Sequence, residues 1–251
     1  MNETIRVQAD MAASASLAEP LAPAATAQDQ ASAEVPSYLR DVYHWAYLDE
    51  RWLRFLDRQA VVNAILWGNA QRLMQAAIQE VAPGHMVLQP ACVYGRFSNM
   101  LAEQIGVDGR LAVRDIAPIQ VHFTQQKCAG LEQVDVDRAD AALVPDQRYD
   151  RVICFFLLHE VPDDYKAAIV QALLRAVKPG GKVVFVDYHR PHRLHPMRLP
   201  MFLVFRFLEP FAQGLCNVEI PNLSGDLKDK FNWKKETFFG GLYQKVVATT
   251  V

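Results

Sequence analysis

An imidazole and a carboxylate stand side by side at His159 and Glu160, within the run Phe155, Phe156, Leu157, Leu158, His159, Glu160, Val161, Pro162, Asp163. Such a pair can act as a base, because a nitrogen nucleophile must lose a proton before it adds to an electrophilic carbon. The same residues also read as a helix cap beside a surface imidazole. A second acid, Asp115, follows Gly95 by twenty positions and is followed by Ile116. At the end of a strand it could accept both hydroxyls of a ribose. Asp140, ahead of Ala141, is placed to reach an adenine amino group. Asp187, His189, His192 and His195 combine carboxylate and imidazole groups that could hold a hard or borderline metal, although Pro191 and Pro196 put three of the four in an irregular loop.

These groups need a scaffold that brings distant positions to one edge. From Pro83 onward short β-like runs alternate with helical stretches, the pattern of a mostly parallel sheet with helices on both faces. The spacing predicts strands over 86–89, 110–114, 151–156, 182–187 and 244–249. A helix opened by Asp163 and Asp164 carries Ile169, Leu173, Ala176 and Val177 on one stripe, and Lys178, Pro179, Gly180 and Gly181 stop it. The turn after the first strand reads Gln89, Pro90, Ala91, Cys92, Val93, Tyr94, Gly95, Arg96, and a helix follows through Leu101 and Ala102. A strand, a tight turn and a helix start let a nucleotide-like ligand meet backbone amides, so Gln89, Ala91, Val93, Tyr94 and Gly95 are expected beside it.

The chain has 251 residues, 51% of them hydrophobic, enough for one sizeable α/β domain over 83–251. Residues 1–37 are rich in Ala, Ser, Gln and Pro, lack aromatics, and read as a disordered tail. Residues 38–82 read as an aromatic-rich helical segment with Tyr43, Trp45, Tyr47, Trp52, Phe55 and Trp67, either packing on the domain's flank or forming a lid. With 26 Lys and Arg against 28 Asp and Glu, nothing draws the chain to nucleic acid as a whole. The four cysteines form no C-x-x-C pair, which argues against a zinc site or a disulfide framework and favours a reducing compartment. No apolar run nears the roughly 18 residues of a membrane span, and no signal-like h-region opens the chain, so a cytoplasmic protein is expected. The segment 199–211, with Met201, Phe202, Phe205, Phe207 and Phe211 between arginines, reads either as a buried helix or as a surface for a lipid tail or membrane interface.

Taken together, the first turn, Asp115 and the element from Val177 to Gly181 resemble the class I S-adenosylmethionine (SAM)-dependent methyltransferases, and Phe238 to Tyr243 resembles their quinone-pathway members. Where that pattern has an acid and two glycines, this chain has Gln89, Ala91 and Val93, and only Gly95 remains. The run VLQPACVYG, the stretch Ala64 to Asn69 and the stretch His159 to Lys166 are similar to the rhodoquinone-biosynthesis family, over about 38–249. That resemblance implies a Rossmann-like fold, SAM as amino donor, a divalent metal such as Mn²⁺, and ubiquinone as substrate, met at the membrane surface. It implies that an amino group replaces a ring methoxy group. Two other readings stay open: an O- or C-methyltransferase acting on a quinone precursor, and a non-catalytic lipid-binding or scaffold protein. Removing the tail is expected to leave the melting temperature unchanged, and a large drop on truncation would contradict its reading as disordered.

Overall fold

The computed structural model describes residues 35–43 and 50–251. The tail through Glu34, and the aromatic residues Trp45 and Tyr47, lie outside the described residues. Val35 is buried beside Ala117, and a helix α1 (Ser37–Val42) follows. Folded structure thus starts ahead of Tyr38, and a truncation that tests the tail has to stop before Val35.

Three more helices precede the sheet: α2 (Glu50–Leu56), α3 (Gln59–Ile65) and α4 (Ala70–Ile78). The alternating section then runs β1 (Met86–Gln89), α5 (Phe97–Ile105), β2 (Arg110–Asp115), α6 (Pro118–Lys127), β3 (Val134–Arg138), β4 (Tyr149–Phe155), α7 (Asp163–Ala176) and β5 (Val177–Tyr188). Helices α8 (Arg198–Phe207) and α9 (Ala212–Cys216) cross to a final hairpin, β6 (Phe231–Phe238) and β7 (Tyr243–Thr250). The seven strands lie in the order β3-β2-β1-β4-β5-β7-β6. β1 to β5 pair in parallel, and β7 runs antiparallel to both its neighbours. This is the mostly parallel sheet expected from the alternating pattern, in the Rossmann-like arrangement that the resemblance implied.

The central strands are apolar on both faces because helices cover both. Val152, Ile153, Cys154 and Phe155 of β4 are all buried, as are Val183 to Val186 of β5. Side chains alternate across a strand, so Ile153, Phe155, Val184 and Val186 join one core with α4 and α5. Val152, Cys154, Val183 and Phe185 join the other with α7. Two strands escaped the sequence reading, and both are sheet edges. β3 has only Val134 and Val136 as apolar residues, and the middle of β6 is Lys234, Lys235 and Glu236. An edge strand needs only one covered face, and charges on it discourage pairing with another chain, so the apolar signal is weak there. The predicted stop at Lys178 to Gly181 is displaced slightly: α7 ends at Ala176, and the two glycines sit in an irregularity early in β5, with Gly180 at φ +79°.

The sheet order reverses at β1, whose two neighbours are β2 and β4. Chains leaving β1 and β4 diverge to opposite faces and open a crevice at the carboxyl edge of the sheet. Beside that edge, the buried Lys166 of α7 joins three segments. Its Nζ donates to Val161 O at 2.7 Å, Asp163 Oδ1 at 2.6 Å and Phe211 O at 3.0 Å. Lys166→Met keeps the length of the side chain and leaves two carbonyls without that donor. It is expected to cost about 1–3 kcal/mol of stability, read as a lower denaturation midpoint, and an unchanged midpoint would remove Lys166 from this role.

Candidate active site

A cleft opens at the carboxyl edge between β1, β2 and β4. Ala91 and Cys92 from the first turn, Asp115 and Ile116 after β2, Asp140 and Ala141, and Glu160 all line it. Six of the eleven residues singled out from the sequence therefore meet in one cavity: Ala91, Asp115, Ile116, Asp140, Ala141 and Glu160.

Asp115 ends β2 facing the first turn. Its Oδ2 accepts from the Cys92 amide at 2.8 Å and its Oδ1 from the Ala117 amide at 2.9 Å. Burial pushes its carboxyl up to about 6, against the pull of these backbone donors. Each carboxylate oxygen can accept more than one hydrogen bond, so the group still has capacity for a ligand hydroxyl. Asp140 caps the short turn at Ala141 by accepting from the Ala142 amide at 2.8 Å, and it also accepts from the Tyr165 hydroxyl. Tyr38 of α1 packs near Tyr165, ring centroids 6.5 Å apart, and together with Leu39 forms part of the cleft wall. The flank and lid readings of the N-terminal segment therefore divide by residue: Leu53 and Leu56 are buried in packing, while Tyr38 lines the cleft.

The other expected turn residues do not line the cleft. Gln89 is fully buried; its Nε2 donates to Ala91 O at 2.7 Å, and its Oε1 accepts from Ser98 Oγ at 3.0 Å. Gln89 therefore shapes the turn from beneath. Val93 offers its carbonyl to Lys127 Nζ at 3.0 Å, and the Tyr94 hydroxyl accepts from Gln120 Nε2 at 3.3 Å. Gly95 turns with φ +76°, and a Cβ on it would stand 2.6 Å from Gln59 Oε1. Its amide donates to Asp57 Oδ1 at 2.9 Å, and the Arg96 amide donates to Gln59 Oε1 at 3.0 Å. Lys127 Nζ also donates to Asp57 Oδ1, at 2.6 Å. Amides at the start of a helix attract an anion, and here the anion belongs to the segment between α2 and α3. Nothing in the spacing of Asp57 and Gln59 points to this role, because the contact joins residues almost forty positions apart.

His159 is buried, which excludes the surface-imidazole reading. The turn that carries it starts at Phe156, a non-glycine residue at φ +52°, sparsely occupied backbone that tertiary packing has to impose. His159 Nδ1 lies 2.8 Å from Asp187 Oδ1, and its Nε2 lies 3.7 Å from Glu160 Oε1 and 3.9 Å from Glu209 Oε2. Burial opposes a charge on this ring, but Asp187 and the nearby Glu209 and Glu160 outweigh it and bring His159 up to about 9. The carboxylates around it thus favour the charged form of the imidazole. Asp187 also accepts from the Leu158 and Tyr188 amides at 2.9 Å and 2.7 Å, so it anchors the turn. Sequence reasoning placed Asp187 in a different cluster and did not single out Glu209.

That other cluster does not assemble. His189 Nδ1 is 2.9 Å from Gly241 O and its Nε2 2.9 Å from Lys235 Nζ. The rings of His192 and His195 accept from the amides of Leu194 and Met197. Among the described residues no group of three or more His, Cys, Asp or Glu side chains is disposed to hold a metal ion.

A family model described as a methyltransferase domain matches residues 87–181. The demethylmenaquinone methyltransferase of Bacillus cytotoxicus is 29% identical over 161 residues, which cover 61% of this chain and 67% of that protein. Its counterpart in Staphylococcus epidermidis is 27% identical over 166 residues, 63% of this chain and 62% of that one. Among solved structures, a SAM-dependent methyltransferase from Aquifex aeolicus superposes with a TM-score of 0.56 at 18% identity, covering 81% of this chain and 99% of that chain. Human N-acetylserotonin methyltransferase in complex with SAM superposes with a TM-score of 0.54 at 17% identity, covering 89% and 65%. The structural likeness shows the shared fold.

The raised carboxyl of Asp115 gives the cleft a pH signature. An ionised carboxylate is the stronger acceptor for a ligand hydroxyl, and Asp115 is ionised above about 6. Affinity for an adenosine-containing ligand is expected to hold steady above neutrality and to weaken as pH falls through about 6. Asp115→Asn should remove that dependence and weaken binding by about 1–3 kcal/mol. Calorimetry across this range checks both, and a parent profile flat down to pH 5 would take the carboxylate out of the ligand's reach.

Proposed function

We propose that this chain, which carries a methyltransferase domain of the class I SAM-dependent superfamily, exchanges a methoxy group of ubiquinone for an amino group and so forms rhodoquinone, with SAM as the amino donor. The observation that carries this reading is the conjunction at one cleft. Two carboxylates suited to an adenosine, Asp115 and Asp140, share the cleft with the potential base Glu160, while the first turn departs from the methyl-transfer pattern and is held from outside by Asp57 and Gln59. SAM fits the residues present: Asp115 would take the ribose hydroxyls, Asp140 the adenine edge, and Ile116 and Ala141 would flank the ring. SAM supplies the nitrogen. The divalent metal implied by the family resemblance does not fit the described residues, and no step here depends on one.

Methyl transfer needs the sulfonium methyl in line with its acceptor at roughly 3 Å, so a rebuilt turn that displaces the methyl can suppress that reaction without removing the adenosine site. Glu160 lines the cleft and is backed by His159, and it takes the proton that the nitrogen has to lose before adding to the quinone ring.

The quinone's lipid tail and a membrane surface are the proposed partners of α8. Met201 and Phe205 of that helix are buried, while Leu199, Phe202, Leu203 and Phe207 face solvent, with Arg193, Arg198 and Arg206 exposed near them. Among the described residues no helix is long and apolar enough to cross a membrane. An apolar face flanked by arginines suits the interface of an anionic bilayer. Phe202→Ser with Phe207→Ser should lower co-sedimentation with anionic vesicles while the melting temperature holds, and unchanged co-sedimentation would remove this face from the interface.

A second reading, methyl transfer to a quinone precursor, is favoured by the names of the Bacillus and Staphylococcus relatives. The two are separated by isotope. Given SAM labelled at its amino nitrogen, ubiquinone should acquire the label; given SAM labelled only in its methyl group, it should not. A methyl-labelled quinone in the mass spectrum overturns amino transfer. Failure to bind SAM at all would favour the non-catalytic, lipid-binding reading.

A further inference from the structure

Behind Glu160, the buried polar groups around His159 come from three separate segments. Asp187 and Tyr188 arrive from the end of β5, Glu209 from the turn between α8 and α9, and Tyr43 from the end of α1. His159 Nδ1 is held by Asp187, leaving Nε2 between Glu160 Oε1 at 3.7 Å and Glu209 Oε2 at 3.9 Å. The Glu209 carboxylate is buried, meets the Tyr43 hydroxyl, and has the His159 imidazole as the cation it faces. The His159 ring packs edge-on against Phe156 and Tyr188, centroids 5.7 Å and 4.8 Å away, so the two ring nitrogens point toward the carboxylates.

We propose that Glu209 is a positioning residue for the proton transfer at Glu160: with Glu160 it flanks Nε2 of His159 at ion-pair distance and so holds the imidazole in place behind the base. The inference rests on the amino-transfer reading for the identity of the proton moved. In that reaction the nitrogen–carbon bond forms as Glu160 takes a proton from the amine. As the carbon–oxygen bond to the methoxy group breaks, Glu160 returns the proton to the departing oxygen and methanol leaves, with the nitrogen now joined to both the ring and the donor's α-carbon. That last bond breaks when the α-carbon gives up its proton and two electrons reduce the ring, so that the adduct becomes a hydroquinone imine, which water splits into the amino-substituted hydroquinone and the 2-oxo acid of the donor. His159 keeps its own proton throughout, and its charge orients Glu160. Lys166 contributes indirectly: by binding Phe211 O it ties the turn that carries Glu209 to the start of α7.

The charged imidazole should be lost as pH rises through about 9, and turnover should fall with it. Glu209→Gln removes a nearby negative charge while keeping the shape, so the alkaline limb should move down by about one pH unit. Affinity for SAM should stay within twofold, and Glu209→Asp should restore most of the shift. A titration of the His159 ring by nuclear magnetic resonance reads the same midpoint with no quinone present, which separates this test from the isotope experiment. The unaltered full-length protein gives a further check: at pH 7 both His159 ring nitrogens should carry protons. A neutral imidazole there, an identical midpoint in Glu209→Gln, or a loss of turnover with the pH limb unmoved would each overturn the proposal.

Discussion

The turn from Gln89 to Arg96 holds its shape because groups outside its backbone satisfy its polar atoms. Backbone donors and acceptors near a buried site have to be paired, and here side chains supply five of the partners. Gln89 bonds the Ala91 carbonyl, Asp115 the Cys92 amide, Lys127 the Val93 carbonyl, Asp57 the Gly95 amide and Gln59 the Arg96 amide. These side chains come from β1, the end of β2, the end of α6 and the stretch joining α2 to α3. The cleft wall is therefore a tertiary product, and it can form only once the N-terminal helices have docked.

A comparable constraint operates at the other end of the cleft. Asp187 receives the Leu158 and Tyr188 amides and the His159 ring, so one carboxylate fixes both the backbone of the turn and the charge of the imidazole. Glu209 is pushed up by burial, its largest influence, and pulled down by His159. The two groups thus regulate each other across a short gap in a region that excludes water. Asp115 is raised by burial. The cleft consequently has a carboxyl close to its titration range at one end and, behind Glu160 at the other, a buried imidazole raised by the carboxylates around it.

The sequence made the parallel sheet legible because its inner strands are apolar on both faces, and Val152 to Phe155 and Val183 to Val186 stand out for that reason. It made Asp115, Asp140 and Glu160 legible because each follows a strand or begins a turn at the carboxyl edge. It could not reveal β3 or β6, whose charged edge positions mask the alternation. It misassigned Asp187 to the histidines that follow it, since closeness in sequence says little once a strand ends and the chain leaves the sheet. Asp57, Gln59 and Glu209 carry no motif; their roles arise from contacts with residues tens of positions away.

The methyltransferase-domain match ends at residue 181 and begins at residue 87. Inside those limits lie the first turn, Asp115, Asp140, His159 and Glu160, which gather at the carboxyl edge of the sheet. Outside them lie Asp57 and Gln59, which occupy the turn's amides, and Asp187 and Glu209, which set the charge on His159. The exposed face of α8 is outside as well, and Glu209 follows that helix by two residues. The cleft is lined mainly from the matched core, whereas the groups that hold its first turn and surround His159 come largely from segments outside it.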